Sequence, residues 1–519
     1  NRYPEVESII RKQQSEGALI MDYAGHGSAS AISHEYVLRL SDVQNFTNTN
    51  LPLWITASCD VGPFDGVDGS IGESIVTNSK GGGFAFYGTT RTVYANYNKH
   101  INDAFVKNVL KVNEGRRTTL GDASRMAKTH LVTSGLDRTV NKLQYTLLGD
   151  PAMSLNVPTM RCVIDSINGI SVTGTERQEL HANSKVRITG HIDSDGSVFS
   201  DFSGLIHTLA RDNREKITCF DNEGEATNPF VFYDRSKNLY SGTDSVSNGR
   251  FDVQFVIPRD INYSGESGLI TLFAYTSDGK HTAHGESEAF TLGGSETIYN
   301  DSIGPSIYCY LNSPSFQNGG DVNSTPYFVA EINDNNGINA SGSGIGHDLQ
   351  LVIDNDKDRT YNLNENFRYD FGSYTSGSTY YYIPELPTGI HTLRFRAWDI
   401  LNNPSTTTLT FNVAKGIEPN IVDVNVTRNP AKTSTAFIVT HDRPGAPVDI
   451  DIEIFDASGR LLHRISQTSV PGSPTSTVNW DLTADNGGRL QTGIYLYRVN
   501  ITCDGSARAS KAKKLVVIE

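Results

Sequence analysis

Short apolar runs that end on glycine or a polar residue set the rhythm of the first third of the chain. Ala18-Leu19-Ile20-Met21 leads toward His26, and Leu51-Pro52-Leu53-Trp54-Ile55-Thr56-Ala57 leads into Cys59. Runs of this length, bounded in this way, read as buried strands. Gly81-Gly82-Gly83-Phe84-Ala85-Phe86-Tyr87-Gly88 predicts the next strand. Helical spacing lies between and around them. Pro4 in a first turn, with Val6, Ile9 and Ile10 on one face, predicts a helix that Gly17 ends. Ser70-Ile71-Gly72-Glu73 reads as a capping box opening a helix through Ser74-Ile75-Val76. A longer helix is predicted over 97–112, with Ile101, Phe105, Val109 and Val112 on its apolar face, and another over 120–131. Strands alternating with helices imply an α/β layer fold.

After Val157 the period changes. Val186-Arg187-Ile188-Thr189-Gly190 and Phe251-Asp252-Val253-Gln254-Phe255-Val256 alternate apolar and polar positions, and Gly, Asn, Asp and Ser turns separate such segments. That is the pattern of antiparallel β-sandwiches. Composition breaks near 298–304 and near Lys415-Gly416 divide the remainder into 158–300, 301–415 and 416–519. A chain of 519 residues is too long for one core, and three to five domains are expected.

Charge narrows the partners. Lys and Arg number 44 against 58 Asp and Glu, a net charge of −14, which argues against nucleic acid or an anionic membrane as a general partner. No apolar run approaches the length that spans a bilayer, so membrane attachment would go through another protein or a lipid. Five cysteines do not make a disulfide framework. Cys162 and Cys219 could pair within one domain; four unpaired thiols besides Cys59 are the equal alternative.

Two segments carry the chemistry. Gly25-His26-Gly27-Ser28 and Ser58-Cys59-Asp60 each close an apolar run. If the two strands are neighbours in a parallel sheet, His26 and Cys59 emerge together at its carboxyl edge, where open α/β sheets place ligands. A thiol beside an imidazole is a nucleophile with its base. Taken singly, the cysteine reads as a small buried hydrophobe and the histidine as an ordinary surface residue. Taken jointly, with glycines that let backbone approach a ligand closely, they favour catalysis. The thiol must be held as thiolate, which His26 can do before protonating a leaving amine. Asp22 is the nearest acid to His26 but sits within the strand, and Glu73 reads as a helix cap. Gly81-Gly82-Gly83 lacks the Lys-Ser/Thr of a phosphate loop, and no Cys or His spacing fits zinc. Asp354, Asp356, Asp358 and Glu365 mimic calcium-loop positions, yet Arg359 stands where glycine is needed, so a hairpin turn is preferred. Asp334-Asn335-Asn336-Gly337 and the Gly-rich stretch through His347-Asp348 could ligate a structural calcium, a turn again being the simpler account.

The His26-Gly27 block, Ser58-Cys59 33 residues later, the Gly81–Gly88 strand and Leu148-Gly149-Asp150-Pro151-Ala152 together resemble the gingipain-like, caspase-like cysteine peptidases, and within them the sortase branch of the type IX secretion system. The tail, through Asn429-Pro430, Phe455-Asp456-Ala457-Ser458-Gly459-Arg460 and Gly493-Ile494-Tyr495-Leu496-Tyr497-Arg498, resembles a type IX C-terminal sorting domain. The resemblance covers about 1–157 and 416–519. It implies a multidomain fold: the C-terminal part of a caspase-like α/β domain, then β-sandwich (Ig-like) domains, then a β-sandwich sorting-type domain. Residues 1–157 look too short to cover both faces of a doubly wound sheet, so the first half of the catalytic domain is expected elsewhere, as a partner. By the same resemblance the backbone N–H groups of Gly27 and Cys59 receive the oxyanion. Thr89, Thr90 and Arg91 fall in the loop that forms part of the primary specificity pocket. Arg91 would read a carboxylate there; an ordinary solvated loop charge is the simpler reading. The implied activity is a cell-surface transpeptidase that cleaves sorting domains from cargo through a Cys59 thioester and joins the cargo to lipopolysaccharide. No cofactor is required. The implied partners are sorting-domain cargo, an outer-membrane β-barrel of the type IX system and the lipopolysaccharide acceptor, at the extracellular face of a Gram-negative outer membrane. A secreted gingipain-like endopeptidase and a non-enzymatic surface adhesin are the alternatives.

Overall fold

The computed structural model describes all residues except 1, 2, 67, 175–176, 220–227, 297–300, 343–345, 445, 470–473, 511 and 519. Part of the expected break at 298–304 and of the Gly-rich stretch before His347 therefore lies outside the described residues. The chain divides into two compact units, Asn1–Thr159 and Met160–Glu519.

In the first unit, α1 (Pro4–Glu16) precedes β1 (Ile20–Ala24), with Gly17 between them at φ 106°. The short pair β2 (Ala31–Ile32) and β3 (Leu38–Arg39) leads to α2 (Leu40–Gln44), and β4 (Leu53–Ala57) follows. Then come α3 (Ile71–Thr77), β5 (Ala85–Thr89) and α4 (Ala95–Val109). A hairpin of β6 (Val112–Asn113) and β7 (Arg116–Arg117), the helix α5 (Leu120–Thr133) and β8 (Tyr145–Leu148) complete it. The sheet order is β1-β4-β5-β8; β1, β4 and β5 are parallel and β8 antiparallel to β5.

Every residue of β4 and β5 is buried, which follows from covering both faces of a mainly parallel sheet. Leu53, Ile55, Ala85 and Tyr87 pack with Ile101, Phe105, Val109, Leu120 and Leu131 of α4 and α5. The alternate residues Trp54 and Phe86 pack with Val43, Ile71 and Ile75 of α2 and α3. The central strands β4 and β5 are thus covered on both faces, while β1 at one edge of the sheet is half-buried to exposed and β8 at the other is mostly half-buried. The 97–112 helix is also displaced. It starts at Ala95 and stops at Val109, because Glu114 and Gly115, both at positive φ, turn the chain into a hairpin that claims Val112 as a strand residue.

The second unit contains only strands and short 3-10 turns among its described residues. Its apolar residues form three buried clusters, spanning Cys162 to Leu292, Cys309 to Val413 and Val424 to Val517. A nine-stranded sheet runs through the first span. The second holds sheets of four and five strands, and the third sheets of three and five. All five cysteines are free, which removes the Cys162–Cys219 pairing: Cys162 lies buried in a strand and Cys219 is exposed. Asp354 opens a turn at φ 55° and accepts from His391 Nδ1 at 2.7 Å, Arg359 at 3.2 Å and the Thr392 N–H at 2.9 Å. Its carboxylate is thereby held within a hairpin turn. No helix among the described residues is long and apolar enough to cross a membrane.

Candidate active site

The parallel ladder of β1 and β4 fixes the site. Ile20 pairs with Leu53 and Ala24 with Ala57, an offset of 33 residues throughout. The Gly25 N–H donates to the Ala57 carbonyl at 3.3 Å, carrying the pairing past the strand end. The same offset relates His26 to Cys59, which puts both just past the carboxyl ends of neighbouring strands.

Residues 26–33 then fold back on themselves. Gly27 and Ile32 form an antiparallel bridge. The Ser28 N–H donates to the Ala31 carbonyl at 2.9 Å, and the Ser33 N–H to the His26 carbonyl at 2.8 Å. The Tyr23 hydroxyl donates to that same carbonyl at 2.8 Å. Gly27 must be glycine for a steric reason: a Cβ there would collide with the Ser58 side chain and come within 2.8 Å of Val61. Gly27 therefore lies directly against the Ser58 and Val61 side chains of the Cys59 turn.

The Cys59 turn is over-determined by the loop after β5. Asp60 sits in the left-handed region at φ 50°, a conformation that costs free energy and persists where its surroundings enforce it. The Thr89 hydroxyl donates to the Ser58 carbonyl. The Gly62 N–H donates to Thr89 at 2.8 Å and the Asp60 N–H to Arg91 at 3.4 Å, both to backbone carbonyls. The Thr92 hydroxyl donates to the Asp60 carboxylate at 2.8 Å. Cys59 is half-buried, with Sγ 3.5 Å from the Val93 carbonyl. The N–H groups of Gly27 and Cys59 have no acceptor among the described residues. Free N–H donors near a thiol are what an oxyanion site requires.

The expected substrate-binding residues separate here. Thr89 is fully buried and its hydroxyl serves the Cys59 turn, so its side chain does not face a substrate. Thr90 is tied to the Gln144 carbonyl through both its N–H and its hydroxyl, at 2.9 and 3.2 Å. Arg91 alone projects outward, in a two-pronged ion pair with Asp65 at 3.1 and 2.5 Å. That pair holds each partner in its charged form: the Asp65 carboxyl is lowered and the Arg91 guanidinium raised.

Asp22 does not orient His26. Its carboxylate accepts from Asn102 of α4 at 2.9 and 3.2 Å, and burial raises its pKa. Glu73 is a cap, its N–H donating to the Ser70 hydroxyl at 3.3 Å while Ser70 donates to its carboxylate at 3.0 Å. Sequence reasoning missed His34, whose ring stacks on that of His26 with centroids 5.0 Å apart and planes 26° from parallel. The only signal in the chain is a second histidine eight positions on, and the turn that returns it is a tertiary feature.

Residues 1–156 match peptidase family C25. Among solved structures, dimeric latent PorU from Porphyromonas gingivalis is 32% identical over 84% of this chain and 41% of that one, with a TM-score of 0.37. The complex of Porphyromonas gingivalis RgpB pro- and mature domains is 16% identical over 55% of this chain and 57% of that one, with a TM-score of 0.28. The chain thus spans less than half the length of the PorU chain it matches. No curated protein matches it.

Proposed function

We propose that the chain, whose residues 1–156 match peptidase family C25, acts as a transpeptidase that removes C-terminal sorting domains from secreted cargo and passes the cargo to an amine of lipopolysaccharide. The observation that supports the chemistry is the shared 33-residue offset, which puts His26 and Cys59 past the ends of neighbouring strands, together with the unengaged N–H groups of Gly27 and Cys59 among the described residues.

The steps follow from those atoms. His26 takes the proton from Cys59 Sγ, and the thiolate attacks the carbonyl carbon of the scissile peptide bond. The carbonyl electron pair moves onto oxygen, which the Gly27 and Cys59 N–H groups stabilise. The pair returns, the C–N bond breaks, and the imidazolium gives its proton to the departing amine. A thioester remains at Cys59. An acceptor amine then attacks it, His26 takes the amine's proton, and the thiolate leaves.

The tail supports the sortase reading, since a sorting-type segment at 416–519 suits a protein working at the outer surface of a type IX system. The three apolar clusters of the second unit support reading 158–300, 301–415 and 416–519 as three β-sandwich modules. The chemistry needs no cofactor. One observation favours a hydrolytic endopeptidase instead: the His26 ring is exposed, which leaves the thioester open to water. Water is about 55 M, so an amine prevails only when bound and oriented, where effective molarities are far larger. Enzyme, a cargo bearing its sorting domain and a glycine peptide as amine separate the two. The sortase reading predicts an amide-linked product by mass spectrometry that is lost with Cys59→Ala. Hydrolysed product alone at saturating amine would overturn it.

A further inference from the structure

We propose that His34 is a positioning residue that holds the His26 imidazole toward Cys59 by stacking on its face; the inference rests on the assignment of His26 as the partner of Cys59. A base acts only while its ring nitrogen stays within hydrogen-bond reach of the thiol, and an exposed imidazole turns freely about two side-chain torsions. The usual means of fixing it is a hydrogen bond to one ring nitrogen. The ring nitrogens of His26 have no hydrogen-bond partner among the described residues, and Asp22, four positions upstream, is engaged by Asn102.

The turn supplies another means. The Gly27–Ile32 bridge and the Ser33 N–H bond to the His26 carbonyl set positions 26 and 33 opposite each other. Ser33, at φ 65°, reverses the chain so that His34 comes back over His26. The two rings meet at 5.0 Å and 26°, within the range of favourable offset stacking. The arrangement is braced from both sides. The Ser33 hydroxyl donates to the Glu35 carboxylate, and the Glu35 N–H returns a bond to Ser33 Oγ at 3.1 Å. The Tyr23 hydroxyl pins the His26 carbonyl from β1. His26 is thus fixed at its backbone by the turn and at its ring face by His34. Neither ring nitrogen is consumed, so both remain free to take and return a proton.

The test is the rate at which iodoacetamide alkylates Cys59, followed on the Cys59 peptide by mass spectrometry in the full chain. The exposed Cys219 serves as an internal reference and the melting temperature as a folding control. His34→Ala is expected to slow Cys59 alkylation about three- to tenfold, the range of an aromatic pair, while His34→Phe restores it by keeping a ring face. In a His26→Ala background, His34→Ala should have no further effect, the mark of coupled residues. Slowing by His26→Ala without slowing by His34→Ala would overturn the stacking role, as would His34→Phe reacting as slowly as His34→Ala. An unchanged rate in His26→Ala would instead overturn the pairing of His26 with Cys59.

Discussion

Gly27 is the residue whose replacement discriminates most finely between binding and chemistry. A methyl group there meets the Ser58 side chain and Val61, so Gly27→Ala must push the two turns apart and displace a free N–H donor. Loss of one oxyanion donor costs about 10²–10³ in kcat. Gly27→Ala is therefore expected to lower kcat by about that factor with KM little changed and the fold retained, as read by steady-state kinetics and a thermal melt. An unchanged kcat would remove Gly27 from the site. The placement of His26, Gly27 and Cys59 past the ends of two paired strands was legible in the sequence because each follows an apolar run, and because the spacing between the runs equals the offset of the ladder that pairs them. Thr89 and Thr90 were not legible as supports of the turn. What they bond, the carbonyls of Ser58 and Gln144, lies 31 and 54 residues away along the chain.

At the scale of elements, the continuous apolar runs of β4 and β5, buried on both faces, and the helical spacing of buried residues in α4 and α5 carried most of the fold. Boundaries failed where a turn competed, as at Glu114-Gly115. Strand ends in the second unit hold a property that no periodicity reveals. His441, the last residue of the strand Thr435–His441, is 1% exposed. Burial, and then the charge of Arg443, lower its pKa to about 4. Its Nδ1 accepts the Arg443 N–H at 3.2 Å, which requires that nitrogen to be unprotonated. The unfolded chain binds the proton near pH 6.5 and the folded chain only near pH 4, so this residue's contribution to stability is complete above pH 6.5 and falls as pH drops toward 4. The melting temperature of the unit is expected to fall across that window, and more steeply in the wild type than in His441→Leu. Equal slopes would contradict the buried neutral imidazole.

At the scale of the molecule, each unit carries its own apolar cores. Residues 160–519 expressed alone are expected to melt cooperatively with retained near-UV dichroism; a non-cooperative melt would show that their cores need the first unit. The division between an α/β segment and a β-rich remainder was legible because the hydrophobic period changes after Val157. The sharpest single test remains the covalent intermediate. Cargo bearing a sorting domain should be mixed with the enzyme and acid-quenched within one turnover, and the Cys59 peptide weighed by mass spectrometry. The predicted result is a mass increase equal to the cargo's amino-terminal portion less water, held as a thioester that hydroxylamine releases and absent in Cys59→Ala. Cargo cleaved with no adduct on Cys59, or cleaved equally by Cys59→Ala, would contradict the account.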